Sequence, residues 1–182
     1  MERLTKKDAG KPHFFFTTNA VFCIIVVESV SLWGKVGMFI GEYQHNLDNK
    51  GRIIIPSKFR DELHDSFYLT KGYDGCLTIY SAEQWEKVLH RLSKLPSTKT
   101  NARKYLHVLT ARASECVPDK MGRINIPDYL ASEAGLNKEC VVVGVNDHVE
   151  IWDKDRWNAY YAEASANFEE IAEGLEEIPD DE

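Results

Sequence analysis

Two short segments of this 182-residue chain carry the same chemistry. Residues 48–56 read DNKGRIIIP and residues 119–127 read DKMGRINIP, with six identities in nine positions. The groups able to act are Asp48, Lys50 and Arg52 in the first copy and Asp119, Lys120 and Arg123 in the second. As a turn alone the motif is well made. Asp can accept from the backbone ahead, Asn49 tolerates left-handed geometry, and Gly51 supplies positive φ. A turn does not need an arginine after the glycine in both copies. An Arg held by an Asp on a hairpin is a presented guanidinium, and its planar fork suits guanine O6/N7 or a phosphate. Lysine is third in the first motif but second in the other, where Met121 takes the third place.

Other chemistry finds little footing. The histidines (13, 45, 64, 90, 107 and 148) form no H-x-x-H or H-E-x-x-H pattern, and the four cysteines form no C-x-x-C pair. No metal site is expected. Spacing alone leaves a Cys/His or Ser/His nucleophile open, but there is no nucleophile elbow, P-loop or glycine-rich phosphate cradle. No cofactor and no catalysis are expected. Cys76 and Cys140 read as small buried hydrophobes, and Trp85, Trp152 and Trp157 as core or interface aromatics.

The elements around the motifs repeat as well. Beyond the offset of 71, an offset of 72 aligns Tyr68–Asp74 with Cys140–Asn146, Leu77–Tyr80 with Val149–Trp152, and Trp85 with Trp157. Each unit reads alike: a strand (Tyr43 to Leu47; Ala113 to Val117), Asp-x-x-Gly-Arg, and a β-branched strand ending at Pro56 or Pro127. A short helix follows (Ser57 to Leu63; Asp128 to Ala134, closed by Gly135), then two strands and an amphipathic helix capped by Ser81 or Asp153. A further helix, roughly Thr98 to Thr110, links the units through a Leu106/Leu109 stripe. Two copies are too few for a solenoid, which leaves one pseudo-symmetric body. The fold class is mainly β with peripheral helices (α+β). Its parts are residues 1–37, a first repeat at 38–84, a basic helical connection at 85–112, a second repeat at 113–157, and an acidic helix and tail at 158–182.

A composition of 43% hydrophobic and 28% charged residues excludes disordered and collagenous classes. The net charge of −7 taken whole argues against a nucleic-acid partner. Its distribution argues otherwise. Nine acids and no base follow Ala162, whereas Lys87 to Arg112 holds seven bases and no acid. Residues 38–162 carry 17 bases and 17 acids. The basic strip reads as a solvated helical face, as a nucleic-acid surface, or as a self-association surface for the acidic tail. Residues 1–37 differ from the rest: basic residues precede an apolar run, as in a secretory signal. The competing reading is an over-extended start, with the working chain beginning at Met38.

The segments MFIGEYQHNLDNKGRIIIPSKFR, DKMGRINIP and ECVVVGVNDHVEIWDKDRW resemble the MraZ family from about Met38 onward. The resemblance implies two AbrB/SpoVT-like units folded as a duplicated swapped-hairpin β-barrel module and assembled into a homo-oligomeric ring. It implies a cytoplasmic, nucleoid-associated transcriptional regulator. Such a protein binds double-stranded DNA at short direct repeats upstream of the division and cell-wall gene cluster, with no membrane partner. The DNA-binding residues it implies are Asp48, Lys50, Arg52, Asp119, Lys120 and Arg123, with the first loop, where lysine is third, as the better candidate for reading bases. Two other readings stand beside it: a purely structural oligomer, and an antitoxin-like module whose C-terminal segment wraps a toxin. Such antitoxins usually carry one DNA-binding unit per chain, whereas two are present here. For the start site, intact-mass spectrometry of the protein from its natural host is expected to give an N-terminus at Met38; one well upstream overturns that expectation.

Overall fold

The computed structural model describes residues 38–175; the expectations for 1–37 and for 176–182 of the tail lie outside the described residues. Its elements run β1 (Phe39–Asn46), β2 (Arg52–Ile54), α1 (Ser57–Leu63), β3 (Phe67–Lys71), β4 (Leu77–Ser81), α2 (Ala82–Ser93) and α3 (Thr100–Ala111). The second half follows as β5 (Ser114–Cys116), β6 (Arg123–Asn125), α4 (Asp128–Glu133), β7 (Glu139–Asn146), β8 (His148–Asp153), α5 (Lys154–Ala166) and α6 (Phe168–Glu173). Helical residues outnumber strand residues. The fold is mixed, with an antiparallel sheet and peripheral helices, where the strand-rich sequence pattern pointed to mainly β.

Local chemistry accounts for the boundaries. Pro56 and Pro127, at φ −51° and −57°, stop the ladders of β2 and β6 because they lack a backbone amide. The same fixed φ leads into α1 and α4. Ser81 Oγ accepts from the Gln84 amide at 3.3 Å, and Asp153 Oδ1 accepts from the Asp155 and Arg156 amides at 3.1 and 3.4 Å. Both expected caps are in place.

The strands pair as β1-β7-β8-β4-β3-β5 in one sheet and β2-β6 in a second, all antiparallel. Exchanging β1 with β5, β2 with β6, β3 with β7 and β4 with β8 reverses this order and so reproduces it. The pseudo-two-fold axis runs through the pairs Thr78–Glu150 and Ile53–Ile124. Each half's first strand lies against the other half's third strand.

The ladder corrects one alignment. Leu69 pairs with Ile79 and Val142 with Ile151, so β3 matches β7 at an offset of 73, while β4 matches β8 at 72. The difference sits in the turns. Gly72 donates to the Cys76 carbonyl around the three residues Tyr73-Asp74-Gly75, whereas Val145 pairs with His148 around Asn146-Asp147 alone. A slip of one residue exchanges the faces of a strand. Phe67 and Leu69, not Tyr68 and Thr70, are the core counterparts of Cys140 and Val142.

A single core joins the halves: Phe39, Ile53, Phe59, Leu63, Phe67 and Leu69 pack with Ile124, Ile126, Leu130, Val142 and Ile151. Helix α3 contributes little to it. No α3 residue is buried; Leu109 leans on the Trp85–Val88–Leu92 cluster, and Leu106, expected to pack beside it, is exposed. Among the described residues no helix is long and apolar enough to cross a membrane.

A tight backbone approach lies where Gly41 faces Gly144 across β1 and β7. A Cβ at Gly144 would stand 2.6 Å from Phe39 C, 2.7 Å from Ile40 N and 2.8 Å from Phe59 Cζ. Two of these atoms are backbone and cannot swing aside. Gly144→Ala is expected to destabilise the fold by about 1–3 kcal/mol, read from the denaturant midpoint.

Candidate functional site

The two Asp-x-x-Gly-Arg loops share their geometry. In the first, Asp48 N donates to the Arg52 carbonyl at 2.9 Å and Gly51 N to the Asp48 carbonyl at 2.9 Å. In the second, the corresponding bonds join Asp119 with Arg123 at 2.9 Å and Gly122 with Asp119 at 2.8 Å. Gly51 and Gly122 have φ of 69° and 74°, which a side chain disfavours.

Each aspartate divides its oxygens between backbone and guanidinium. Asp48 Oδ1 accepts from the Lys50 and Arg52 amides at 2.8 and 3.0 Å, and Oδ2 accepts from Arg52 Nε at 2.8 Å and Nη2 at 2.7 Å. Asp119 accepts from the Met121 and Arg123 amides at 2.8 and 3.0 Å, and from Arg123 Nε and Nη2 at 2.8 and 2.7 Å. The turn and the presented guanidinium, alternatives on paper, are one device. One edge of each guanidinium lies on the carboxylate. Its Nη1 end meets no acceptor among the described residues, and that end of the fork stays open to a ligand. Lys50 and Lys120 are exposed beside their arginines.

Strands β2 and β6 bring the two loops together. Arg52 faces Asn125, Ile53 faces Ile124, and Ile54 faces Arg123. Side chains alternate along a strand, so Ile53 and Ile124 point into the core while both arginines share the outward face. The diagonal placement separates their Cα atoms by about 7–8 Å. Beyond the ribbon, Ile126 N donates to the Gly51 carbonyl at 2.8 Å, and Ile55 N to the Gly122 carbonyl at 2.9 Å. All six residues expected from sequence therefore lie on one short ribbon and its two end loops.

The sequence that builds these loops has counterparts in known proteins. A family model described as "MraZ protein, putative antitoxin-like" matches the chain twice, over residues 38–108 and 109–176. The chain belongs to the MraZ family. A protein called transcriptional regulator MraZ from Lactobacillus helveticus is 48% identical over 141 residues, covering 78% of this chain and 99% of that one. Its namesake from Ligilactobacillus salivarius is 51% identical over 138 residues, covering 76% and 96%. A third, from Lactobacillus gasseri, is 48% identical over 141 residues, covering 78% and 99%.

Elsewhere in this MraZ-family chain, part of the basic strip serves the fold. Lys87 pairs with Glu83 at 2.7 Å, Arg103 closes the Ser97 and Thr98 carbonyls at 2.7 and 3.0 Å, and Arg112 pairs with Glu133 beneath the Tyr129 ring. Cys76 and Cys140 are buried as expected, and Cys116 is buried with them. Burial pushes the Cys76 thiol up to about 12 and those of Cys116 and Cys140 up to about 11, far from nucleophilic thiolates. Sequence reading missed Arg60, whose guanidinium lies against Gly122 of the second loop.

The hydrogen bonds from Arg52 and Arg123, with those from the loop amides, hold the Asp48 and Asp119 carboxyls down to about 2. A carboxyl whose folded pKa lies below its unfolded value stabilises the fold above the unfolded value, near 3.9, and loses that contribution as pH falls toward about 2. Carboxyl-detected NMR titration is expected to place both midpoints near 2. Arg52→Ala should raise the Asp48 midpoint much more than that of Asp119, which Arg52 influences only through space.

Proposed function

We propose that this protein is a sequence-specific DNA-binding transcriptional regulator that reads short direct repeats upstream of the division and cell-wall gene cluster. The observation that carries the reading is the pair of aspartate-held arginines on the outward face of one two-stranded ribbon. A major groove admits a two-stranded antiparallel ribbon, and an arginine fork matches guanine O6 and N7 there. The aspartate fixes each fork before DNA arrives, which lowers the ordering cost of binding. In this reading Arg52 and Arg123 address base edges or phosphates, Lys50 and Lys120 add charge, and Asp48 and Asp119 position the arginines. Relatives named transcriptional regulator MraZ, matching nearly their whole length, support it.

The reading extends to architecture and assembly. The exchange of first strands between halves supports a duplicated AbrB-like swapped-hairpin module. Several modules in a homo-oligomeric ring would set ribbons side by side along direct repeats, and such linkage raises affinity by about 10² or more. Complementary surfaces favour self-association: α3 carries Arg103, Lys104 and exposed Val108, with Lys99 just before it, while α6 carries Glu169, Glu170 and Glu173 with exposed Phe168 and Ile171. A regulator of this kind works in the cytoplasm, at the nucleoid.

Gel shifts on the DNA upstream of its own gene, at two salt concentrations, test the reading. One bidentate Arg–guanine contact is worth about 1–3 kcal/mol of discrimination. Arg52→Ala, repeated in every subunit, is expected to reduce binding to the level of random DNA while oligomer size holds in light scattering. A variant that shifts its own promoter normally overturns the base-reading role. Steep salt dependence without sequence preference in the wild type would indicate phosphate binding alone.

A further inference from the structure

The two loops agree in every contact made by Asp48 and Asp119, yet differ in what lies against their glycines. A Cβ on Gly51 would meet the Ile126 carbonyl oxygen at 3.2 Å, with Asn125 Oδ1 at 3.8 Å and Asp128 Oδ1 at 4.0 Å. A Cβ on Gly122 would instead run into Nη1, Cζ and Nε of Arg60. The repeat offset places Ala131 where the first unit has Arg60. One loop is thus backed by oxygens and an acid, the other by an arginine reaching over from α1.

Among the described residues that arginine has no hydrogen-bonding or ionic partner. Its Nε is buried without a hydrogen-bond acceptor, and among the described residues no carboxylate pairs with its guanidinium. Arg112 and Arg156, also set against neighbouring elements, each find an acceptor. A charged group left unpaired is costly, and because Arg60 is partly exposed while its Nε is sheltered, an anion would meet it at the Nη end of the guanidinium and offset part of that cost. The neighbouring groups suit an anion too. Lys120 is exposed, and Arg123 keeps its Nη1 end open while Oδ2 of Asp119 is already engaged.

We propose that Arg60, with Lys120 and Arg123, forms a phosphate-binding subsite that takes a backbone phosphate of duplex DNA. The proposal rests on the DNA reading above and divides the labour between loops. The first loop, with Lys50 and Arg52, addresses base edges; the second anchors the backbone. Phosphate contacts fix register without carrying sequence information, so this subsite adds affinity rather than preference.

Fluorescence anisotropy with the full chain separates the two roles. The probes are the duplex upstream of its own gene and a shuffled duplex of equal composition, titrated between about 50 and 200 mM salt. Arg60→Gln, which keeps the side chain's packing, is expected to weaken both probes by the same factor, about tenfold or more at the lower salt. It should also flatten the log–log salt slope by about one per engaged subunit. Arg60→Lys should keep the slope. Arg52→Ala, by contrast, should erase the difference between the probes. An unaltered slope for Arg60→Gln, whether or not its melting temperature falls, makes Arg60 a brace for the loop and overturns the subsite. Loss of preference for the natural probe alone would make it a base reader, which also overturns the proposal. Wild-type protein that ignores both probes overturns the DNA reading itself and this proposal with it.

Discussion

The carbonyls of Gly51 and Gly122 each accept the amide of a residue from the opposite half, Ile126 and Ile55. These two bonds continue the β2–β6 ladder past its three pairs and tie each loop to the other unit. Strands of three residues are too short to hold a free hairpin in water. What holds this ribbon is its underside, where Ile53 and Ile124 face each other at 0% and 1% exposure. The outer strands follow the same logic, since β1 completes its ladder on β7 and β5 on β3. Neither half can set its own loop without the other. Arg52 is aimed by residues some seventy positions away as much as by Asp48.

Much of this was legible because the grammar is local. Asp-x-x-Gly-Arg specified the turn, Pro56 and Pro127 the strand ends, and Ser81 and Asp153 the caps. The bounds of α1, Ser57–Leu63, match the sequence reading. The alignment of β3 with β7 failed because it was anchored on glycine. Gly72 and Gly144 look equivalent in sequence, but Gly72 serves a three-residue turn, whereas Gly144 lets β1 pair closely along β7. Leu106 was misplaced because helical spacing reports a face, not whether anything covers it. Arg60 left no signal in a repeat-based reading, since its counterpart is Ala131. Its importance comes from a non-local contact with Gly122 that a one-dimensional pattern does not contain.

Net charge is a poor guide here for a geometric reason. The acids that dominate the total lie in the C-terminal helix and tail, and the balanced body keeps its loop cations on one face. The basic strip from Lys87 to Arg112 is less of a reservoir than its composition implies. Arg112 pins α3 to α4, and Arg103 closes carbonyls before its own helix. Potential at a binding surface depends on where unpaired charge sits, and the solvated remainder is screened within about 8–10 Å at physiological salt.

The Asp–Arg pair sets a further limit. Exposed ion pairs are screened by solvent and stabilise weakly, so Asp48–Arg52 and Asp119–Arg123 do little for stability as pairs. Each also cancels the charge its arginine brings, which lowers attraction to a polyanion. A site evolved for affinity alone would omit the aspartate. Its retention in both loops fits a site where direction matters more than charge, because a fork fixed at Nε and Nη2 offers its Nη1 end at one angle. Discrimination by a fixed fork and attraction by free cations then fall to different residues. In the first loop that second part belongs to Lys50. In the second, where Met121 stands at that lysine's place, the proposed subsite adds Arg60 from outside the motif to Lys120.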